Sequence, residues 1–160
     1  MRGAPMRGGA GRKTVSMLDL LRGENLLGIS VDDSREKVIY ELGEPSIQDE
    51  FVDTGDKYYK YHNVEMPFFR DELCYVVLYG KGKRGKFRLP WFIKDKNRIR
   101  RDITSNNMVR YLEKNNIFYE VIESKIEDTK YLKITNGQMT FYDACYDGKF
   151  ILYSLHLHRI

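Results

Sequence analysis

Residues 57–68 (KYYKYHNVEMPF) and 130–141 (KYLKITNGQMTF) coincide at six of twelve positions without a gap. The shared residues are Lys57/Lys130, Tyr58/Tyr131, Lys60/Lys133, Asn63/Asn136, Met66/Met139 and Phe68/Phe141. Upstream, Val38, Ile39 and Leu42 stand over Met108, Val109 and Leu112, and Ile47 and Glu50 over Ile117 and Glu120. Three extra residues before the second strand reconcile the two offsets. A chain that carries one pattern twice is expected to build two similar units. Each unit holds one helix and three or four strands, too little to bury a core by itself. The expected fold is therefore α+β: two helix-plus-antiparallel-strand repeats sharing one sheet, with the helices on one face. The layout is a basic arm over 1–15, a first repeat over 16–80, a basic linker over 81–101 and a second repeat over 102–160.

Local signals place the elements. Ser16 to Arg22 can form a short helical stretch, capped by Ser16, with Asp19 at the capping-box position, Leu18 and Leu21 facing the core, and Gly23 past its end. In VDDSREKVIYELGEP, Asp33 reads as the N-cap with Glu36 three residues on, Val38, Ile39 and Leu42 form the apolar stripe, and Gly43 and Pro45 end the helix. Residues 57–62, 66–69 and 73–79 read as strands, with Asp71-Glu72 as a turn between the last two. Thr104–Asn116 reads as a second capped helix. Residues 117–122, 130–135, 139–145 and 150–156 read as strands, with Asp147-Gly148 as a hairpin turn.

Alternation along the strands sketches two faces. Tyr59 and Tyr61 match Leu132 and Ile134, so that side is expected to meet the helices. The other side then carries Tyr58, Lys60 and His62 in one half and Tyr131, Lys133 and Thr135 in the other, joined by Phe69 and Tyr142. Aromatics standing on a solvated sheet suit a protein-binding surface, and the candidate contact residues are Tyr58, Lys60, Phe69, Tyr131, Lys133 and Tyr142. Cross-strand Tyr–Lys pairs that only stabilise the sheet are the competing explanation.

The net charge of +4 conceals a division. Residues 81–101 carry +9 and residues 1–16 carry +4, which leaves −9 on the rest of the chain. Such asymmetry bears on partners rather than on fold. The segment 81–101 interleaves its cations with Phe87, Trp91 and Phe92, as sites that track a nucleic-acid backbone do. Nucleic-acid binding through Lys83, Arg84, Arg88, Trp91, Arg98, Arg100 and Arg101 is the alternative function. A polar linker with Leu89, Trp91 and Phe92 pinned to the core explains the same residues. The Gly- and Arg-rich arm, residues 1–15, has almost nothing to bury and is expected to stay unfolded, and Met17 offers a second possible start.

The stretch Gly28-Ile29-Ser30, Ser34, Val38 and Leu42-Gly43-Glu44-Pro45 is a short G-I-S segment leading to a capped helix closed by L-G-x-P. It resembles the repeat unit of the β-lactamase-inhibitor-protein-like fold and of the SmpA/OmlA small lipoproteins, and is similar to small bacterial proteins that include immunity partners of secreted toxins. The motif spans under twenty residues, and the duplicated layout extends the resemblance over most of 28–158. Two departures matter: the sequence shows no lipoprotein signal with an acceptor cysteine, and neither half contains a cysteine pair. What remains of the resemblance implies an intracellular protein-binding role, with a toxin domain as one class of partner.

Catalytic patterns are absent from this reading. Cys74 and Cys145 lie near apolar segments and are expected to be buried free thiols, neither with a His partner. His156 and His158 share a strand end without an evident third ligand, so no metal or other cofactor is expected. Gly80-Lys81-Gly82-Lys83-Arg84-Gly85 lacks the spacing of a phosphate loop. No run approaches the ~18 apolar residues of a membrane span. The expectation is a non-enzymatic, cytoplasmic protein-binding module, with its oligomeric state open.

Overall fold

The computed structural model describes residues 13–24, 26–80, 89–94 and 103–158. In chain order the elements are β1 (Val15–Ser16), α1 (Met17–Leu21), α2 (Arg35–Leu42), β2 (Ile47–Glu50), β3 (Lys57–Tyr61), β4 (Val64–Phe69), β5 (Glu72–Leu73), β6 (Val76–Tyr79), β7 (Ile93–Lys94), α3 (Ser105–Lys114), β8 (Tyr119–Ile122), β9 (Thr129–Ile134), β10 (Gly137–Tyr142) and β11 (Ile151–Leu157). Among the described residues the fold is mixed, a largely antiparallel sheet with a few short helices. The main sheet runs β2-β3-β4-β6-β11-β10-β9-β8, with β5 attached to β4, and every pair in it is antiparallel. The small pair β1–β7 is parallel.

The helices start where a hydroxyl can satisfy a first-turn amide. Ser16, Ser34 and Thr104 accept from the N–H groups of Asp19, Lys37 and Asn107 at 3.0, 3.2 and 3.2 Å. Sequence reasoning placed the α2 cap one residue early. Asp33 instead turns its carboxylate back to accept the Ser30 N–H at 2.7 Å and pairs with Lys37 at 2.9 Å. That leaves Ser34, whose carbonyl accepts the Val38 N–H, as the half-helical residue. Gly43, at φ +81°, ends α2 in a conformation an L side chain resists.

Val38 and Leu42 of α2 and Met108 and Leu112 of α3 belong to one buried cluster with Tyr59, Tyr61, Met66, Phe68, Leu132, Ile134, Met139 and Phe141. These strand residues sit at alternate positions, so the alternation that predicted an inward side for Tyr59, Tyr61, Leu132 and Ile134 is what the structure contains. In α1, Met17, Leu20 and Leu21 are buried while Leu18 is only partly covered. Each such large apolar side chain contributes about 1.5–3 kcal/mol when fully withdrawn from water.

Several expectations are corrected. The segment 73–79 is not one strand. Phe68 faces Leu73, yet Glu65 faces Val77, so the register slips by one residue and a bulge falls at Cys74–Tyr75. The turn before it is Arg70-Asp71, both at positive φ, rather than Asp71-Glu72. Asp147-Gly148 does not close a two-residue hairpin. The Asp143 carboxylate accepts the N–H groups of Asp147 and Gly148 at 3.2 and 2.9 Å, shaping a longer loop before β11. Val15 was assigned to the arm but is buried and pairs with Ile93. Cys145 is exposed and Cys74 half-buried, so neither is the buried thiol expected. The remainder of the basic arm, residues 1–12, lies outside the described residues.

Candidate protein interface

Because partners across an antiparallel ladder point to the same side, one row of the face opposite the buried cluster can be followed across the whole sheet. It reads Ile47, Lys60, Glu65, Val77, His156, Gln138, Lys133, Glu120, crossing eight strands. Lys60 and Lys133 stand at matching places in it, each on the strand next to an edge. A neighbouring row on one wing holds Asp49, Tyr58 and Pro67. Another, on the other wing, holds Tyr79, Ser154, Thr140, Tyr131 and Ile122. Tyr142 lies between Thr129 and Ile151 on the same side.

All six candidate contact residues therefore fall on this face, in two groups. On β3 and β4, Tyr58 packs on Phe51 at 4.8 Å between ring centroids. Lys60 lies 5.9 Å from the Tyr58 ring and 3.5 Å from the Glu65 carboxylate. Phe69 is exposed, with the Arg70 guanidinium 5.1 Å from its ring. On β9 and β10, Tyr131 is half-buried, Lys133 exposed and Tyr142 exposed. The Tyr142 hydroxyl donates to Asp128, which raises its pKa above the ordinary phenol value. Five strand spacings separate β3 from β9, about 24 Å. A partner of ordinary interface size spans that distance.

Between the groups lies a set that sequence reasoning missed. The bulge at Cys74–Tyr75 brings Tyr75 against His156, ring centroids 4.4 Å apart. A second bulge, between Thr140 and Phe141 on one strand and Leu152 and Ser154 on the other, accommodates Tyr153, whose ring meets Tyr79 edge-on at 6.0 Å. Burial, with Glu65 nearby, pushes the Tyr79 phenol up to about 12 and raises Tyr75 in the same direction. Burial and the neighbouring His158 lower His156. Two bulges thus line the centre of the face with tyrosines. Period-two alternation cannot reveal this, because a bulge is the place where that period fails.

The alternative nucleic-acid set cannot be assembled here. Lys83, Arg84, Arg88, Arg98, Arg100 and Arg101 lie outside the described residues. Trp91 is described: its indole N–H donates to the Leu42 carbonyl at 3.2 Å, its ring meets Phe92 edge-on, and Phe92 is buried. Among the described residues no group of three or more His, Cys, Asp and Glu side chains could hold a metal ion, and no helix is long and apolar enough to cross a membrane. No protein-family model, no curated protein and no solved structure matches the chain.

Proposed function

We propose that the chain is a non-enzymatic protein-binding module that works in the cytoplasm and uses the Tyr/Lys face of its main sheet. The observation that carries this reading is the eight-strand row with Lys60 and Lys133 at matching places, flanked by Tyr58 and Phe69 on one wing and Tyr131 and Tyr142 on the other. Tyrosine supplies large contact area at little cost in side-chain entropy, and rigid sheet positions hold it ready. Under this reading the chain is a tandem repeat, α2 with β2–β6 and α3 with β8–β11, whose helices cover one face and leave the other for the partner. The palindromic strand order about β6–β11 supports the duplication, as do the two capped helices that precede the two sets of strands. An immunity protein that occludes a toxin domain is the specific form of this role that the sequence resemblance favours.

The test is affinity purification of the tagged chain from its own cells at moderate salt, with and without nuclease, followed by binding measurements on any stoichiometric partner. Tyr58→Ala and Tyr131→Ala are each expected to weaken that partner about tenfold or more. Unchanged affinity in both removes this face from the role. Loss of the partner on nuclease treatment would move the function to the basic segment.

A further inference from the structure

The sheet has a second exposed feature, the edge strand at which the rows through Lys133 and Tyr131 end. Strand β8 ends the sheet and, among the described residues, pairs with β9 alone. Unpaired edges are normally guarded by lysine, proline or inward charge. The other edge, β2, carries Asp49 and Glu50 and exposes all four of its residues. In contrast, the run Phe118-Tyr119-Glu120-Val121-Ile122 holds one charge and neither lysine nor proline. Phe118 is 74% exposed, Val121 63% and Ile126 56%, an apolar cluster left open along this edge.

Beside that edge a cavity of about 420 Å³ opens between β8, β9 and the first turns of α3. Its walls include Val109, Val121, Ile126, Leu132 and Phe150. Ser105 also lines it, nine-tenths buried, its N–H donating to the Phe150 carbonyl at 2.9 Å. An open strand edge next to an apolar pocket has the two elements that recognise an added strand. The edge supplies main-chain hydrogen bonds, and the pocket reads alternate side chains.

We propose that β8 and this cavity form a docking site for an extended segment of another protein that alternates apolar and basic residues. Charge selects the occupant. Glu120 lies on the strand, Glu123 and Glu127 line the cavity, and no ion pair engages these three carboxylates among the described residues. Between 120 and 130 four acids face two lysines, and one of these, Lys130, has its ammonium 4.3 Å from the Phe150 ring centroid. A second copy of the chain would bring the same three carboxylates against their own images. A basic partner strand neutralises them, while its apolar residues cover Val121 and enter the pocket.

The test is titration of the full chain with a peptide of alternating lysine and valine, followed by amide chemical shifts and fluorescence anisotropy. Shifts confined to 118–123 and the cavity walls are expected, with affinity falling about tenfold or more in Val121→Lys. Because Val121→Lys alters a strand, Glu123→Gln/Glu127→Gln, both in an exposed loop, serves as the second variant. It is expected to weaken binding and flatten its salt dependence without changing circular dichroism. Equal binding of a peptide with the same lysines and valines in two blocks would overturn the site, as would shifts centred on Tyr58 and Phe69. A chain that dimerises, and loses that association in Val121→Lys, would assign the edge to a second copy and overturn the basic-segment proposal.

Discussion

Asn63 and Asn136 close the two-residue loops of the β3–β4 and β9–β10 hairpins, and both turn their amides into the protein rather than toward solvent. The Asn63 side-chain amide donates to the Tyr79 carbonyl at 2.9 Å while the Asn63 main-chain carbonyl accepts the Tyr79 N–H, tying the hairpin to β6. The Asn136 side-chain amide donates to the Leu20 carbonyl at 2.8 Å, and the Asn136 main-chain carbonyl accepts the His158 N–H, tying the other hairpin to α1 and the end of β11. Truncation leaves a buried carbonyl without its donor, so Asn63→Ala and Asn136→Ala should each cost about 1–3 kcal/mol. Urea unfolding midpoints test this. A loss below about 0.5 kcal/mol in both would place these amides among ordinary surface contacts.

The inward side of the sheet was legible because Tyr59, Tyr61, Leu132 and Ile134 alternate with polar residues, and a period of two has one physical cause. The placement of Tyr58, Lys60, Tyr131 and Lys133 followed from the same alternation. The α3 cap was legible in Thr104, but α2 offered both Asp33 and Ser34. Only the Ser30 amide, which captures the Asp33 carboxylate, decides between them. Tyr75 and Tyr153 were hidden because each enters the face through a bulge, set by pairing with residues distant in sequence. The β1–β7 pair was equally hidden: two-residue strands carry no periodicity, and Val15 and Ile93 find each other through the tertiary fold.

Strand β11 is approached closely from two glycines. A Cβ on Gly80 would lie 2.1 Å from the Leu152 carbonyl oxygen, and one on Gly137 would lie 2.0 Å from that of His156. Backbone atoms in the middle of a sheet cannot yield as a side-chain end can. Gly137→Ala and Gly80→Ala should therefore each lose about 2 kcal/mol or more, read as a lower thermal midpoint. Wild-type stability in either variant would show that β11 can shift.

Alkaline and acid limbs of stability should each have an assignable contributor. The Tyr79 phenol is raised from 10.0 to about 12 in the folded chain, so folding favours its protonated form. Its contribution is fully present below pH 10 and is lost as pH rises through about 12. For His156 the folded pKa is lowered from 6.5, so its contribution is present above 6.5 and falls as pH drops below that value. Tyr79→Phe should flatten the first limb and His156→Gln the second in unfolding midpoints measured across pH. Unaltered limbs would transfer the dependence to other groups, of which Tyr61, also raised by burial, is the first to test at high pH.

Trp91 is the only tryptophan in the chain, and its indole is bonded to the last carbonyl of α2 beside the buried Phe92 ring. Tyr61 reaches the same helix end, donating to the Gly43 carbonyl at 2.9 Å and meeting Phe92 edge-on. Trp91→Phe keeps most of the ring packing and removes the N–H, so about 1 kcal/mol of stability should go. Intrinsic fluorescence should report global unfolding, with the same midpoint as circular dichroism. An indole held in this way is not presented for stacking on bases. Addition of single-stranded oligothymidine at low salt should leave the emission unchanged. Saturable quenching would show that Trp91 leaves Leu42 to meet a base, and would restore the nucleic-acid function to the basic segment.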